Sequence, residues 1–98
     1  MPSLHIDFQE GWTGSDVVVT VNGRERRLET VTTKTQIGLA AQVVEEVEPG
    51  AVTMTVTAPG AGLVGEHRLD VTADHWVGVS IANGRLLFRD QDELFGYV

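Results

Sequence analysis

Strict alternation of apolar and polar side chains is the feature that most limits what this chain can fold into. In the segment 52–58 the apolar residues alternate with three threonines, and in the segment 4–8 they alternate with His5 and Asp7. Successive side chains of a β-strand point to opposite faces of the sheet. Both segments therefore predict strands with one buried face.

Two Asn-Gly pairs, at residues 22–23 and 83–84, predict β-hairpins. A type I′ turn needs a positive φ at both central residues, and Asn and Gly adopt it most readily. Around the second pair, Val79 is expected opposite Phe88, with both facing the core. Leu87 then points away from that core, toward water or a partner.

The segment 35–48 is compatible with two patterns. Five of its apolar residues follow a period of two, whereas four fit one face of a helix. We expect a strand, because the clear strand at 52–58 follows and the loop Glu48–Ala51 would join the two segments as a hairpin. A helix over this segment is the alternative.

These patterns together predict an all-β chain. The expected fold is a single antiparallel β-sandwich of seven to eight strands with two Asn-Gly hairpins, in which residues 1–98 form one domain. With 98 residues, 42% of them hydrophobic, the chain can form one apolar core.

Composition excludes several classes of function. The 14 acidic and 7 basic side chains give a net charge of −7, which argues against a nucleic-acid partner. The absence of cysteine excludes disulfides, thiolate metal sites and cysteine nucleophiles. The first residues lack the basic and apolar regions of a secretory signal, and no apolar run is long enough to span a membrane. We expect a cytoplasmic protein with no membrane partner.

Motifs for chemistry are few. The serines lie outside any GxSxG elbow, and no glycine-rich segment opens a helix as a phosphate loop does. We therefore assign no catalytic residue and no cofactor. The three histidines lack metal-ligand spacing. The carboxylates of Asp70, Asp74, Asp90 and Asp92 flank the 77–89 hairpin and are weak candidates for calcium ligands, with a solvated turn as the alternative.

A basic group and several aromatic residues are candidates for contacts with partners. Arg24, Arg26 and Arg27 are the local positive excess, suited either to an acidic partner or to protecting a sheet edge. Trp12 lies in a glycine-flanked loop and is expected to be exposed, since aromatic residues concentrate at interfaces.

The C-terminal segment is unusually apolar for a chain end. Phe95 and Tyr97 are expected either to dock on their own sandwich or to pair with a neighbouring chain, and Leu87 offers a further apolar contact. Together with the tryptophans, these aromatic rings could also stack on a sugar.

The segments VVVTVNGRERRLE and VGVSIANGRLLF resemble strands of small immunoglobulin-like or transthyretin-like (prealbumin-type) sandwiches. With its Phe-Gly-Tyr ending, the chain also looks like an uncharacterised family of small bacterial proteins. The resemblance implies a β-sandwich and carries over no ligand or catalytic motif. The Cys, Trp and Cys signature of true immunoglobulin domains is absent.

The sequence thus favours a non-enzymatic interaction or accessory module. We expect it to self-associate, as a homodimer, through the aromatic C-terminal segment, or to bind another protein. One alternative is a carbohydrate- or calcium-binding sandwich. A second is a small enzyme subunit, which predicts a concave pocket around a His–carboxylate pair.

Overall fold

Eight strands form two four-stranded sheets that face each other across an apolar core. The computed structural model describes residues 1–34 and 36–96. The strands, in chain order, are β1 (Ser3–Phe8), β2 (Thr13–Val21), β3 (Arg24–Thr32), β4 (Ala41–Glu46), β5 (Gly50–Ala58), β6 (Leu63–Val71), β7 (His75–Ala82) and β8 (Arg85–Gln91). A short 3-10 turn, Pro59–Ala61, links β5 to β6.

The first sheet has the strand order β4-β1-β7-β8, and the second has the order β3-β2-β5-β6. All neighbouring strands are antiparallel except β1 and β7, which are parallel. The all-β sandwich is therefore confirmed, with one parallel pair that was not expected. No short turn joins β1 to β7, so nothing forces that pair to be antiparallel.

The core follows from the alternation along the strands. Leu4, Ile6 and Phe8 of β1 are fully buried, and so are Met54 and Val56 of β5. Valines of β2, β4 and β7 complete the same apolar cluster. Each buried valine or leucine side chain stabilises the fold by about 1.5–3 kcal/mol relative to exposure.

The Asn-Gly pairs form two-residue turns between paired strands. The φ angles are 46° and 85° at Asn22 and Gly23, and 54° and 72° at Asn83 and Gly84. They join β2 to β3 and β7 to β8. In the second hairpin Val79 lies opposite Phe88, which is the register expected from the sequence.

The segment 35–48 is only partly a strand. In its described part, a turn at residues 36–38 is closed by a bridge between Lys34 and Leu39, and β4 begins at Ala41. The expected hairpin across Glu48–Ala51 is wrong, because β4 pairs with β1 whereas β5 pairs with β2 and β6. This connection carries the chain from one sheet to the other, which local alternation does not distinguish from a hairpin.

Trp12 is a core residue, and its expected exposure is wrong. Its side chain is 1% exposed, and its Nε1 donates a hydrogen bond to the backbone oxygen of Val79 at 3.0 Å. Its ring meets Phe8 edge to face, with 5.2 Å between centroids. The loop from β1 to β2 crosses between the sheets, so its aromatic residue lies in the core.

Gly11 allows this loop to approach β7 closely. Its φ is 86°, and a Cβ at this position would lie 2.2 Å from the backbone oxygen of Ile81. The approach is fixed by a backbone hydrogen bond of 2.9 Å from Ile81 to Glu10. A side chain at residue 11 is therefore excluded both by conformation and by space.

We predict that Gly11→Ala lowers the free energy of unfolding by at least about 3 kcal/mol, because backbone atoms must move to admit the methyl group. Gly23→Ala is the matched control, since its φ is 85° but a Cβ would meet nothing within 4 Å. It should cost only about 1–2 kcal/mol. Urea unfolding measures both, and equal losses would contradict the close approach.

Candidate interaction surface

The C-terminal segment folds back over the solvent face of the first sheet. The side-chain amide of Gln91 donates hydrogen bonds to the backbone oxygens of Glu93 and Leu94, at 2.8 and 2.9 Å. Phe95 is 6% exposed, and the guanidinium carbon of Arg89 lies 4.8 Å from the centroid of its ring. The Phe95 ring therefore packs against its own chain, while the residues on either side of it are exposed.

This placement corresponds to one of the two expectations for Phe95, docking on its own sandwich. The ring also lies near the loop after β1, where a small cleft is lined by Gln9, Glu10, Ile37, Gly38, Arg89, Phe95 and Gly96. Phe95 thus docks within the chain. Tyr97, the other aromatic residue proposed for contacts, lies outside the described residues.

Within residues 1–34 and 36–96, strand β8 is an edge of the first sheet and has one side with no strand beside it. Because Leu86 and Phe88 pack against the core, the alternating residues Arg85, Leu87 and Arg89 lie on the solvent face. We call these three residues the β8 stripe. Leu87 is 50% exposed, which confirms that it points away from the core. The stripe thus consists of one exposed apolar side chain between two cationic ones, on a chain with a net charge of −7.

Two of the three arginines proposed for contacts instead join the two sheets. Glu45 of β4 points inward and is 4% exposed, and its Oε1 lies 2.6 Å from Nε of Arg26 on β3. Nη1 of Arg24 lies 3.8 Å from its Oε2. A buried carboxylate needs such a cation because its desolvation is costly. Arg24 and Arg26 thus close one lateral side of the sandwich.

Arg27 faces the other way, onto the solvent face of the second sheet. Its Nε lies 3.2 Å from Oε2 of Glu25, two residues before it on β3, and both side chains are at least half exposed. Such a pair contributes little to stability.

The opposite lateral side carries a second contact between the sheets, built from two histidines and one carboxylate. Nε2 of His67 on β6 lies 2.8 Å from Oδ2 of Asp90, and Nε2 of His75 on β7 lies 2.9 Å from Oδ1. Asp90 is on β8, so this cluster links β6 of the second sheet to β7 and β8 of the first. One carboxylate is thereby shared by two rings.

An aromatic contact supports the same side. The His67 ring stacks on Phe88 with 4.9 Å between centroids and an interplanar angle of 2°. Gly65 provides room for the Phe88 ring, because a Cβ there would lie 3.0 Å from it. The lateral side of the sandwich at β6 and β8 is thus packed as well as hydrogen-bonded.

The four aspartates proposed for calcium have different surroundings. Asp90 is bonded to the two histidines, and Asp74 accepts a hydrogen bond from the backbone N–H of Ser3 at 2.9 Å. Asp70 lines a shallow cleft between β5 and β6 with Arg68, and Oδ1 of the fully exposed Asp92 lies 3.8 Å from Nδ1 of His75. Within residues 1–34 and 36–96, no group of three or more His, Asp or Glu side chains is placed to hold a metal ion.

No protein-family model, curated protein or solved structure matches this chain. Among the described residues, no helix has the length and apolar character needed to cross a membrane.

Sequence reasoning missed both contacts between the sheets. The inward position of Glu45 has a signal in the sequence, since it shares the period-two phase of Val43 and Val47. The pairing of Glu45 with Arg24 and Arg26 has no such signal, because it depends on which strands lie at the same side of the sandwich. The shared carboxylate of Asp90 depends on the same long-range order.

We predict that Arg26→Ala lowers the free energy of unfolding by about 2 kcal/mol or more, because it leaves Glu45 buried without its nearest cation. Arg27→Ala removes the same side chain from an exposed pair and should cost less than about 0.5 kcal/mol. Chemical unfolding of the two variants checks this. Similar losses of unfolding free energy in the two variants would mean that Arg26 does not stabilise the buried Glu45.

We predict that Phe95→Ala lowers the free energy of unfolding by about 1–2 kcal/mol, because a docked aromatic ring is lost. Leu94→Ala is the control, since Leu94 is 69% exposed and should be within about 0.5 kcal/mol of the unchanged chain. Thermal and urea unfolding both report this. A Phe95→Ala variant as stable as the control would show that the segment does not dock in solution.

Proposed function

We propose that this chain is a non-enzymatic protein-interaction module that accepts an extended segment of a partner along strand β8. The observation that carries the proposal is the β8 stripe on an unpaired edge strand, with Leu87 half exposed between Arg85 and Arg89. The resemblance to immunoglobulin-like or transthyretin-like sandwiches, and to small bacterial proteins, belongs to the same proposal and is supported by the two-sheet layout.

The backbone of β8 supplies the affinity. Alternate residues of an edge strand direct their N–H and C=O groups away from the sheet, where an added strand can pair with them. Natural edges are often protected against such pairing by bulges or proline. The pairing of β8 with β7 runs without interruption from Arg85 to Gln91, so the edge is regular over its whole length.

The side chains of the stripe supply the specificity. Leu87 offers an apolar contact, and the guanidinium groups on either side favour carboxylates, with which arginine forms strong charge-assisted hydrogen bonds. A matching segment presents an acidic, an apolar and an acidic residue on one face of an extended strand, with any residue between them. Its acidic residues would lie two positions from its apolar one, as Arg85 and Arg89 lie two positions from Leu87.

The C-terminal segment supports this surface instead of forming it. The Phe95 ring lies against the guanidinium of Arg89 and limits the positions which that group can take. A cation held against an aromatic ring gains about 0.5–1 kcal/mol at an exposed site. The aromatic segment, first expected to be the interface, thus orients one cation of the stripe.

We predict that a blocked heptapeptide with glutamate at positions 2 and 6, valine at position 4 and threonine elsewhere shifts the backbone amide signals of β8 in a saturable way. The same peptide with lysine in place of glutamate should bind at least about tenfold more weakly, because it places like charges beside the stripe. Titration of the isotopically labelled chain, followed by NMR, measures both.

Leu87→Asp should abolish these shifts, since it removes the apolar contact and adds a charge that repels the peptide. The matched control is Val64→Asp, because Val64 is 72% exposed on β6, the edge strand of the other sheet. Shifts spread over all four edge strands, or unaffected by Leu87→Asp, would overturn the proposed function.

A further inference from the structure

The two lateral sides of the sandwich carry different edge strands. Contacts of β3 with β4, through Arg26 and Glu45, place these two edges at one side. Contacts of β6 with β8, through His67 and Asp90, place the other two edges at the opposite side. A second copy displaced sideways would therefore bring β4 alongside β8, and β3 alongside β6.

The solvent face of β4 complements the β8 stripe. Since Val43 and Glu45 point inward, Gln42, Val44 and Glu46 lie outward, and Val44 is 48% exposed. The exposed valine is flanked by an amide and a carboxylate, as Leu87 is flanked by two guanidinium groups. The chain thus contains the kind of segment that the β8 stripe fits.

Strand directions agree with this pairing. β4 is antiparallel to β1, β1 is parallel to β7, and β7 is antiparallel to β8. β4 and β8 therefore run in the same direction, and a copy displaced without rotation adds its β4 parallel to β8. Across the sheet Val44 is level with Gln91, so the second copy must also shift by four residues along the strands to bring its Val44 beside Leu87. Its Glu46 then lies beside Arg89.

Pairing of identical edges lacks this complementarity. Two β8 strands related by a two-fold axis through Leu87 would place Arg85 opposite Arg89 of the other copy, and like charges at facing positions are destabilising. Two β4 strands paired in the same way would place Glu46 opposite Gln42, with no cation between them. The charges therefore favour unlike edges.

We propose that the segment accepted along β8 is strand β4 of a second copy, so that copies of this chain associate side by side, head to tail. This proposal rests on the proposed function, since it names the partner of the same stripe. A head-to-tail contact leaves one free β8 and one free β4 in every dimer. It therefore continues to larger species, either closed rings or open filaments.

Sedimentation velocity over a range of protein concentrations tests the proposal. We expect species larger than a dimer that grow with concentration. Association should weaken in high salt, because the contacts are between exposed charges. Glu46→Arg should lower the association constant at least about tenfold, by placing like charges beside Arg89.

Exchanging the charges at residues 46 and 89 is the decisive experiment. The double variant Glu46→Arg, Arg89→Glu restores opposite charges at the contact and should recover most of the lost association. Glu48→Arg is the matched control, since it changes the net charge equally but lies beyond the end of β4. It should leave the association constant within about a factor of two. The melting temperature of each variant shows that it is folded.

Each other outcome overturns the proposal in a distinguishable way. A chain that is monomeric at every concentration, yet binds the acidic heptapeptide on β8, would exclude the second copy and leave the proposed function standing. A discrete dimer that no longer grows would exclude the head-to-tail contact. Equal effects of Glu46→Arg and Glu48→Arg, without recovery in the double variant, would exclude β4 as the segment.

Discussion

The structure depends on how two four-stranded sheets close over one apolar core. Strand alternation buries a row of valines from each sheet, but at the lateral sides the inward positions come close to water. Charged and polar groups occupy these positions and pair between the sheets. Glu45 pairs with Arg26 at one side, and Asp90 pairs with His67 and His75 at the other. Because a buried charge without a partner is costly, the contact of Glu45 with Arg26 stabilises the side at which β3 and β4 lie together.

The same contacts separate two kinds of charge on the edge strands. Inward-facing charged side chains of β3, β4 and β8 pair with groups of the facing sheet, whereas outward-facing charged side chains of the same strands remain in solvent. Arg26 and Arg27 show the difference, since they are neighbours in sequence but face the core side and the solvent side of β3. A recognition surface can therefore lie on β8 without any change in the groups that hold the sheets together.

Much of the fold could be predicted from the sequence because its signals are local. Alternation gave the strands and the core faces, and the Asn-Gly pairs gave the registers of two hairpins. What depended on distant residues was missed: the parallel pairing of β1 with β7, the crossing between sheets at Glu48–Ala51, and the burial of Trp12. The candidate surface was predicted in part. Leu87 lies outward as expected, whereas Arg24, Arg26 and Phe95 serve the chain's own packing, which no local pattern indicates.

The central claim is that β8 is an open edge that strand β4 of a second copy covers. Hydrogen exchange of its backbone amides, compared between dilute and concentrated solutions of the chain, tests this most directly. The account predicts that the outward amides of β8 exchange more slowly as concentration rises, while those of the inner strand β7 do not change. Exchange along β8 that is fast and independent of concentration would contradict it.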